Sequence, residues 1–299
     1  MTRSLFLAAA PLLATTLLAQ PQHSSTGNYR PDDDPLPLAQ GEPSDLLGRF
    51  PAPPMTFGLA FENGRLWGVV GGRELVEFDP DTGTAMAIVQ LAEPATVAFG
   101  LGWDSRRDEF VATLPSSSEV VRINRAGAIT WRTAAPGNGP VGAAYDAGRD
   151  GYWIIDWKLQ RLDLVAAATG AQQRSLALPS AATRPAGVGY CPVTDRLLFN
   201  DRDAVKTYVV RAADGALVLA VPASPAGSNN GQGAAMRPGT LTGYRTHFEA
   251  QSLDVLDLAP GHVVPPSAGD AGTPWWRRQL WHLLTDWATP ARHRGDTHG

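Results

Sequence analysis

Gly58-Leu59-Ala60-Phe61 is a phrase that the chain repeats: Gly100-Leu101-Gly102-Trp103, Gly142-Ala143-Ala144-Tyr145, Gly187-Val188-Gly189-Tyr190 and Gly233-Ala234-Ala235-Met236 share its form. Each is a glycine, two small or aliphatic residues and then a large side chain. The leading glycines are 42, 42, 45 and 46 residues apart. Self-similarity at a period of roughly 20–50 residues is the signature of a repeat architecture. The phrase therefore decides the fold before any local propensity is considered.

Outward from the phrase, each copy resolves into four strands. The phrase itself alternates small and large, as a strand with opposite faces does. After a short polar turn come the apolar runs 66–70, 109–112, 152–155, 197–199 and 241–244, which read as strands buried on both faces. A third, alternating strand is expected at 75–78, 120–123, 159–162, 205–208 and 253–256. It leads into turns such as Asp79-Pro80-Asp81-Thr82-Gly83 and Asn124-Arg125-Ala126-Gly127, whose Asp, Asn and Gly tolerate left-handed backbone and bond their own main chain. A fourth strand follows at 85–91, 128–134, 171–178 and 216–221.

The fifth copy has no fourth strand, because Leu258 is followed by Ala259-Pro260-Gly261. Residues 46–50 are expected to supply it, since the stretch 44–53 looks like 215–225 and also leads into a glycine phrase. Closing a ring with strands from both ends hides the unpaired edges that an open array exposes. The fold class is all-β: a five-bladed β-propeller over 45–260, closed by an N-terminal strand. Glycines at the axis allow close backbone approach. The large fourth-place residues are read as wedges between blades, with a carbohydrate platform as the other reading of the same rings.

The flanks differ from the repeat. Arg3 and the apolar run 5–18, with Ala19 before a cleavage position, read as a signal peptide over 1–19, so the expected location is secreted or periplasmic. Residues 20–44, with Asp32-Asp33-Asp34, read as a flexible leader. A Pro/Gly linker at 261–272 precedes an expected amphipathic helix and polar tail at 273–299. There Trp276, Leu280, Leu283, Leu284 and Trp287 form one stripe, and docking back on the propeller is its leading reading. With 25 basic and 29 acidic residues the chain carries no footprint for nucleic acid. Contact with a membrane interface is expected only through the C-terminal helix. Cys191 is the one cysteine, so no internal disulfide and no cysteine metal site are expected.

The copies resemble the blade repeat of secreted bacterial propellers, the lactonase, streptogramin-lyase and NHL-type group. Trp103-Asp104, Tyr145-Asp146 and Trp153-Ile154-Ile155-Asp156 carry the resemblance over about residues 45 to 258, with Glu62 in place of the first aspartate. The resemblance implies the fold; the group includes enzymes and binding modules, and function must come from a site.

Candidate site residues fall in the links between strands two and three and between successive blades, at one mouth of the channel. Asp156 and Asp201, at equivalent strand ends, could with Asn200 and Asn230 offer an all-oxygen site for Ca²⁺; the pattern requires no cofactor, and satisfied turn carboxylates are the competing reading. His247, near Glu249, is the one candidate general base. Trp157 has no evident core duty and could stack on a ligand. The expectation is a monomeric binding or interaction module taking a small molecule, glycan or protein at the channel mouth, with a lactonase- or lyase-like enzyme as the alternative.

Overall fold

A computed structural model describes residues 46–93, 97–204, 206–222, 231–247 and 251–258. The expected signal peptide, leader, linker and C-terminal helix, together with Asn230 and Glu249, lie outside the described residues.

Among the described residues, twenty strands form five four-stranded antiparallel sheets. The closing strand is β1 (Leu46–Pro51). Blade one is β2 (Thr56–Glu62), β3 (Arg65–Val70), β4 (Glu74–Phe78) and β5 (Ala85–Gln90). Blade two is β6 (Leu101–Asp104), β7 (Glu109–Leu114), β8 (Glu119–Ile123) and β9 (Ile129–Ala134). Blade three is β10 (Pro140–Asp146), β11 (Gly151–Asp156), β12 (Arg161–Ala166) and β13 (Gln172–Ala177). Blade four is β14 (Pro185–Cys191), β15 (Arg196–Asp201), β16 (Lys206–Arg211) and β17 (Leu217–Pro222). Blade five is β18 (Ala234–Met236), β19 (Thr242–His247) and β20 (Ser252–Asp257), completed by β1.

The expected closure is thus present. β1 pairs antiparallel with β20 from Leu46↔Leu256 to Pro51↔Ser252. Its register slips between Leu46 and Gly48, at the start of the strand, where β5, β9, β13 and β17 slip against their own third strands. A bulge at that place sharpens the twist of the outer strand, and the N-terminal strand reproduces it.

Several strands run past their expected ends, those expected at 205–208 and 241–244 continuing to Arg211 and His247, and one of them also starts late. The third strand of blade three was expected at 159–162 and runs over Arg161–Ala166. Asp156 Oδ1 accepts the amides of Lys158 and Leu159, at 2.8 and 2.9 Å, and Gln160 takes φ +53°, so the chain reverses over 157–160 before the strand begins.

The core lies between blades. Trp67, Leu75, Trp103, Phe110 and Val121 pack where blades one and two meet, with the Trp67 and Phe110 rings edge to face at 5.2 Å. Fully burying a side chain of that size contributes about 1.5–3 kcal/mol. Toward the axis the innermost strands approach backbone to backbone. A Cβ on Gly100 would stand 2.5 Å from Gly142 Cα and 2.6 Å from Ala143 N, closer than real Cβ contacts come. One on Gly142 would stand 2.7 Å from Val188 N. The repeated glycine is required by this approach.

Candidate functional site

The two mouths of the propeller are built differently. At the first, where strand two turns to strand three, polar residues at the ends of the second strands of blades two to five brace a link entering an innermost strand. Thr113 Oγ1 accepts the Gly100 amide at 2.8 Å, and Thr246 Oγ1 accepts those of Gln232 and Gly233 at 3.1 and 2.8 Å. Asn200 holds the same place in β15; its Nδ2 donates to the Gly233 carbonyl at 2.7 Å, and its Oδ1 accepts from Thr207 Oγ1 at 2.8 Å.

One residue further along lie Asp156, Asp201 and His247. Asp156 is buried and accepts the Gly139 amide on Oδ2 at 2.9 Å as well as the two turn amides on Oδ1. Asp201 accepts the amides of Thr183 and Arg184 on one oxygen, at 2.6 and 3.0 Å, and those of Asp203 and Ala204 on the other, at 3.0 and 2.7 Å. Three amides at Asp156, and four amides with the Thr183 hydroxyl at Asp201, satisfy these carboxylates as acceptors. Among the described residues, no group of three His, Cys, Asp or Glu side chains is placed to hold a metal ion. His247, buried at 2% exposure, ends β19 in register with Ser252. Trp157 is 36% exposed, with the Arg184 guanidinium 5.7 Å and the Lys158 ammonium 5.8 Å from its ring centre.

The second mouth, ringed by the turns from strand one to strand two, holds an open funnel of about 320 Å³. Its walls include the fourth residue of every copy of the repeated phrase: Phe61, Trp103, Tyr145, Tyr190 and Met236. Phe61 is also a wedge, edge to face with Tyr244 of blade five at 5.1 Å. The same side chains thus separate blades and line a cavity. Among the described lining residues there is no Asp, Glu, Lys, Arg or His, and Asn63 and Ser105 supply polar groups.

A repeated ionic clip positions this wall. Asp104, buried at the end of β6, and Asp150 of the next blade both accept from Arg107, at 2.8 Å and at 2.9 and 3.0 Å. Tyr145 Oη donates to Asp150 at 3.0 Å. One blade on, Arg149 joins Asp146 to Asp195, and Tyr190 Oη donates to Asp195 at 3.0 Å. Asp108, Asp150 and Asp195 all have left-handed backbone, with φ of 57°, 45° and 50°. Asp tolerates that region better than most residues, so Asp150 and Asp195 each make a turn and hold the arginine of the preceding blade, while Asp108 pairs with Arg125 of its own blade.

Burial, the hydrogen bond to Asp150 and the charges of Asp104 and Asp150 raise the Tyr145 pKa well above the usual phenol value. Burial and the nearby Asp146 and Asp195 charges do the same for Tyr190. Both rings stay protonated and fixed. The Arg107 hydrogen bond holds Asp150 at about 2. Its folded value lies below the unfolded one, so the clip stabilises fully above about pH 4 and is lost as pH falls from there toward 2. Asp150→Asn is expected to lower stability by about 1 kcal/mol at pH 7, with a smaller difference from wild type at pH 2.5, read from urea melts.

The sequence reading did not find this clip or the funnel. The signal for the clip is present, as Asp104-Ser105-Arg106-Arg107-Asp108 and Asp146-Ala147-Gly148-Arg149-Asp150 stand 42 residues apart.

No protein-family model matches the chain, and no curated protein matches it. Among solved structures it is similar to glutaminyl cyclase from Myxococcus xanthus, with TM-score 0.58 and 16% identity over 72% of this chain and 96% of that one. It is similar to a chain of the nidogen/laminin complex at TM-score 0.50 and 16% identity, over 68% and 76% of the two chains. A catalytically inactive virginiamycin B lyase from Staphylococcus aureus, crystallised with quinupristin, gives TM-score 0.46 and 18% identity over 68% and 66%. The first two are likenesses of fold alone, and the fold of this chain is a β-propeller closed at five blades.

Proposed function

We propose that this protein is an exported binding module that takes an uncharged ring or apolar side chain, belonging to a small molecule, a glycan or a protein, in the funnel at the second mouth. The observation that supports the reading is the wall: four aromatic rings and a methionine, two of the rings locked by ionic clips, around a cavity whose described lining holds no ionised side chain. Rigid aromatic walls bind by apolar burial and stacking with little loss of side-chain freedom. A volume of 320 Å³ is at the small end of the range of about 300–1,000 Å³ for ligand pockets, and suits one ring with its immediate substituents. The fold does not choose the activity, since one similar structure is by its name a cyclase and another is a protein complex.

Ser105 is exposed at the rim, where an added indole would cover the funnel without disturbing the core. Saturation-transfer NMR with N-acetyl-tryptophanamide and methyl β-glucoside as probes tests the reading. Wild type is expected to bind at least one of them. Ser105→Trp should weaken that binding at least tenfold, while Ser117→Trp on the opposite face leaves it unchanged. Binding that Ser105→Trp does not alter would overturn the assignment.

A further inference from the structure

We infer that the funnel's resident occupant is a tryptophan of the chain's own C-terminal segment, Trp276 or Trp287, so that an outside ligand binds by displacing it; this rests on the funnel being the binding site. Three observations converge on it. The first is where the described chain ends. β20 runs from the first mouth toward the second, and Leu258 donates its amide to Leu241 in the strand-one-to-two turn of blade five, whose Met236 and Pro238 line the funnel. The described chain therefore ends at the funnel face.

The second is length. Sixteen residues separate Leu258 from Trp275, with Pro260, Gly261, Pro265, Pro266, Gly269 and Gly272 among them. A flexible coil of that size spans roughly 20–25 Å r.m.s.. The third strand of a blade stands two strand spacings, about 10 Å, from the innermost one, and the funnel lies just inside that. A tether whose r.m.s. length is comparable to the span gives an effective concentration in the millimolar range, so even a weak contact would be filled.

The third is chemistry. The segment carries Trp275, Trp276, Trp281 and Trp287, and Trp276, Leu280, Leu283, Leu284 and Trp287 share one helical face. β1 also begins at this mouth, because Leu46 pairs with Leu256, but the sequence before it, residues 20–45, holds Tyr29 as its one aromatic residue and several acids. An uncharged aromatic cavity favours the tryptophan-bearing end. The cavity volume admits one large ring, which limits the contact to a single inserted side chain with the rest of the stripe over the rim.

The test uses the full chain. Ser105→Cys at the funnel rim is paired with Gln279→Cys and treated with a short bis-maleimide; the native Cys191 is buried. An intramolecular cross-link is expected, it should vanish when W276A and W287A are added, and a Ser117→Cys partner on the other face should give none. The W276A–W287A chain should also bind N-acetyl-tryptophanamide about tenfold more tightly than wild type. Cross-linking that is equal from both faces, or that persists in the tryptophan variant, overturns the inference. If Ser105→Trp abolishes probe binding while W276A–W287A changes neither readout, the binding site stands and self-occupancy falls. If Ser105→Trp leaves probe binding unchanged, the site itself falls.

Discussion

A chain that begins at Ala52, and so lacks the strand Leu46–Pro51, is expected to lose its cooperative thermal transition and to scatter light as swapped or aggregated multimers. The strand is the outer wall of blade five, and it also seals the joint with blade one. Phe50 is 1% exposed, within a cluster that combines Tyr244, Leu253 and Val255 of blade five with Leu66, Val76 and Phe78 of blade one. Leu46 packs into the joint with blade four, among Leu198, Val209 and Leu256. Truncating one buried Phe or Leu to Ala removes about 2–5 kcal/mol, and a domain has roughly 5–15 kcal/mol in all. Removing both side chains with their backbone pairing therefore exceeds the margin. What remains is β20 with an unpaired edge, a template for association with another chain. Moving residues 44–52 to follow Leu258 through a four-residue turn should restore a single transition, as read by circular dichroism. A protein that melts like wild type without the strand anywhere would show that closure is not what holds the ring.

That the closing strand could be read from sequence at all follows from repetition. Four copies show what a fourth strand looks like, and its absence after Leu258 can then be matched to a similar stretch elsewhere. The same repetition made the glycines legible, because backbone approach at the axis is imposed identically on every blade. Strand starts are legible to within a residue or two, while several ends, Arg211 and His247 among them, lie beyond the apolar run that marks the strand. Leu159 looked like the start of a strand, but it is exposed in a turn that the Asp156 carboxylate organises. Hydrophobic alternation carries no information about such local hydrogen bonds.

The candidate site was less legible, for a related reason. A period-two pattern says which residues share a face of a strand, and not which mouth of the ring a strand end faces or whether its side chain is already engaged. Asp156, Asn200 and Asp201 look like available oxygens in sequence, whereas in the structure each one satisfies backbone of the link that enters an innermost strand. The need for the two aspartates arises just before the ladders begin, since Gly139, and Thr183 and Arg184, precede the first paired residues Pro140 and Pro185, and their amides are taken by carboxylates. Conversely Phe61, Trp103, Tyr145, Tyr190 and Met236 were read as wedges because large residues at buried positions usually pack. They do pack, and they line the funnel by the same geometry, since the innermost strands end there.

Substituting Asp254 by Ala is expected to remove about 3–5 kcal/mol, as breaking a buried ion pair from one side does. For a propeller of this size that lowers Tm by roughly 6–20 °C. Asp254 is wholly buried in β20 between two buried arginines in the neighbouring strands. Arg49 of β1 donates from Nε at 2.7 Å and from Nη2 at 3.2 Å, and Arg245 of β19 donates from Nε at 3.0 Å and from Nη2 at 2.9 Å. Arg245 Nη1 continues to Thr207 of blade four at 3.2 Å, and Thr207 to Asn200. One carboxylate therefore ties the closing strand to its blade and blade five to blade four. Burial alone would raise its pKa, but the Arg49 hydrogen bonds and the positive charges of Arg245, Arg49 and His247 outweigh burial and lower it. A folded-state pKa below the unfolded one means that the stabilisation is complete above the unfolded value of about 4 and disappears as pH falls below it. Asp254→Asn keeps the shape and removes the charge, so its loss relative to wild type should be largest at pH 7 and should shrink on acidification from pH 4 to 2. Pairing it with Arg245→Met, which withdraws one buried cation, should recover part of the loss at pH 7. If Asp254→Asn melts within 2 °C of wild type at neutral pH, the charge does not hold the seam, and closure rests on the apolar contacts of Phe50 and Leu46 alone.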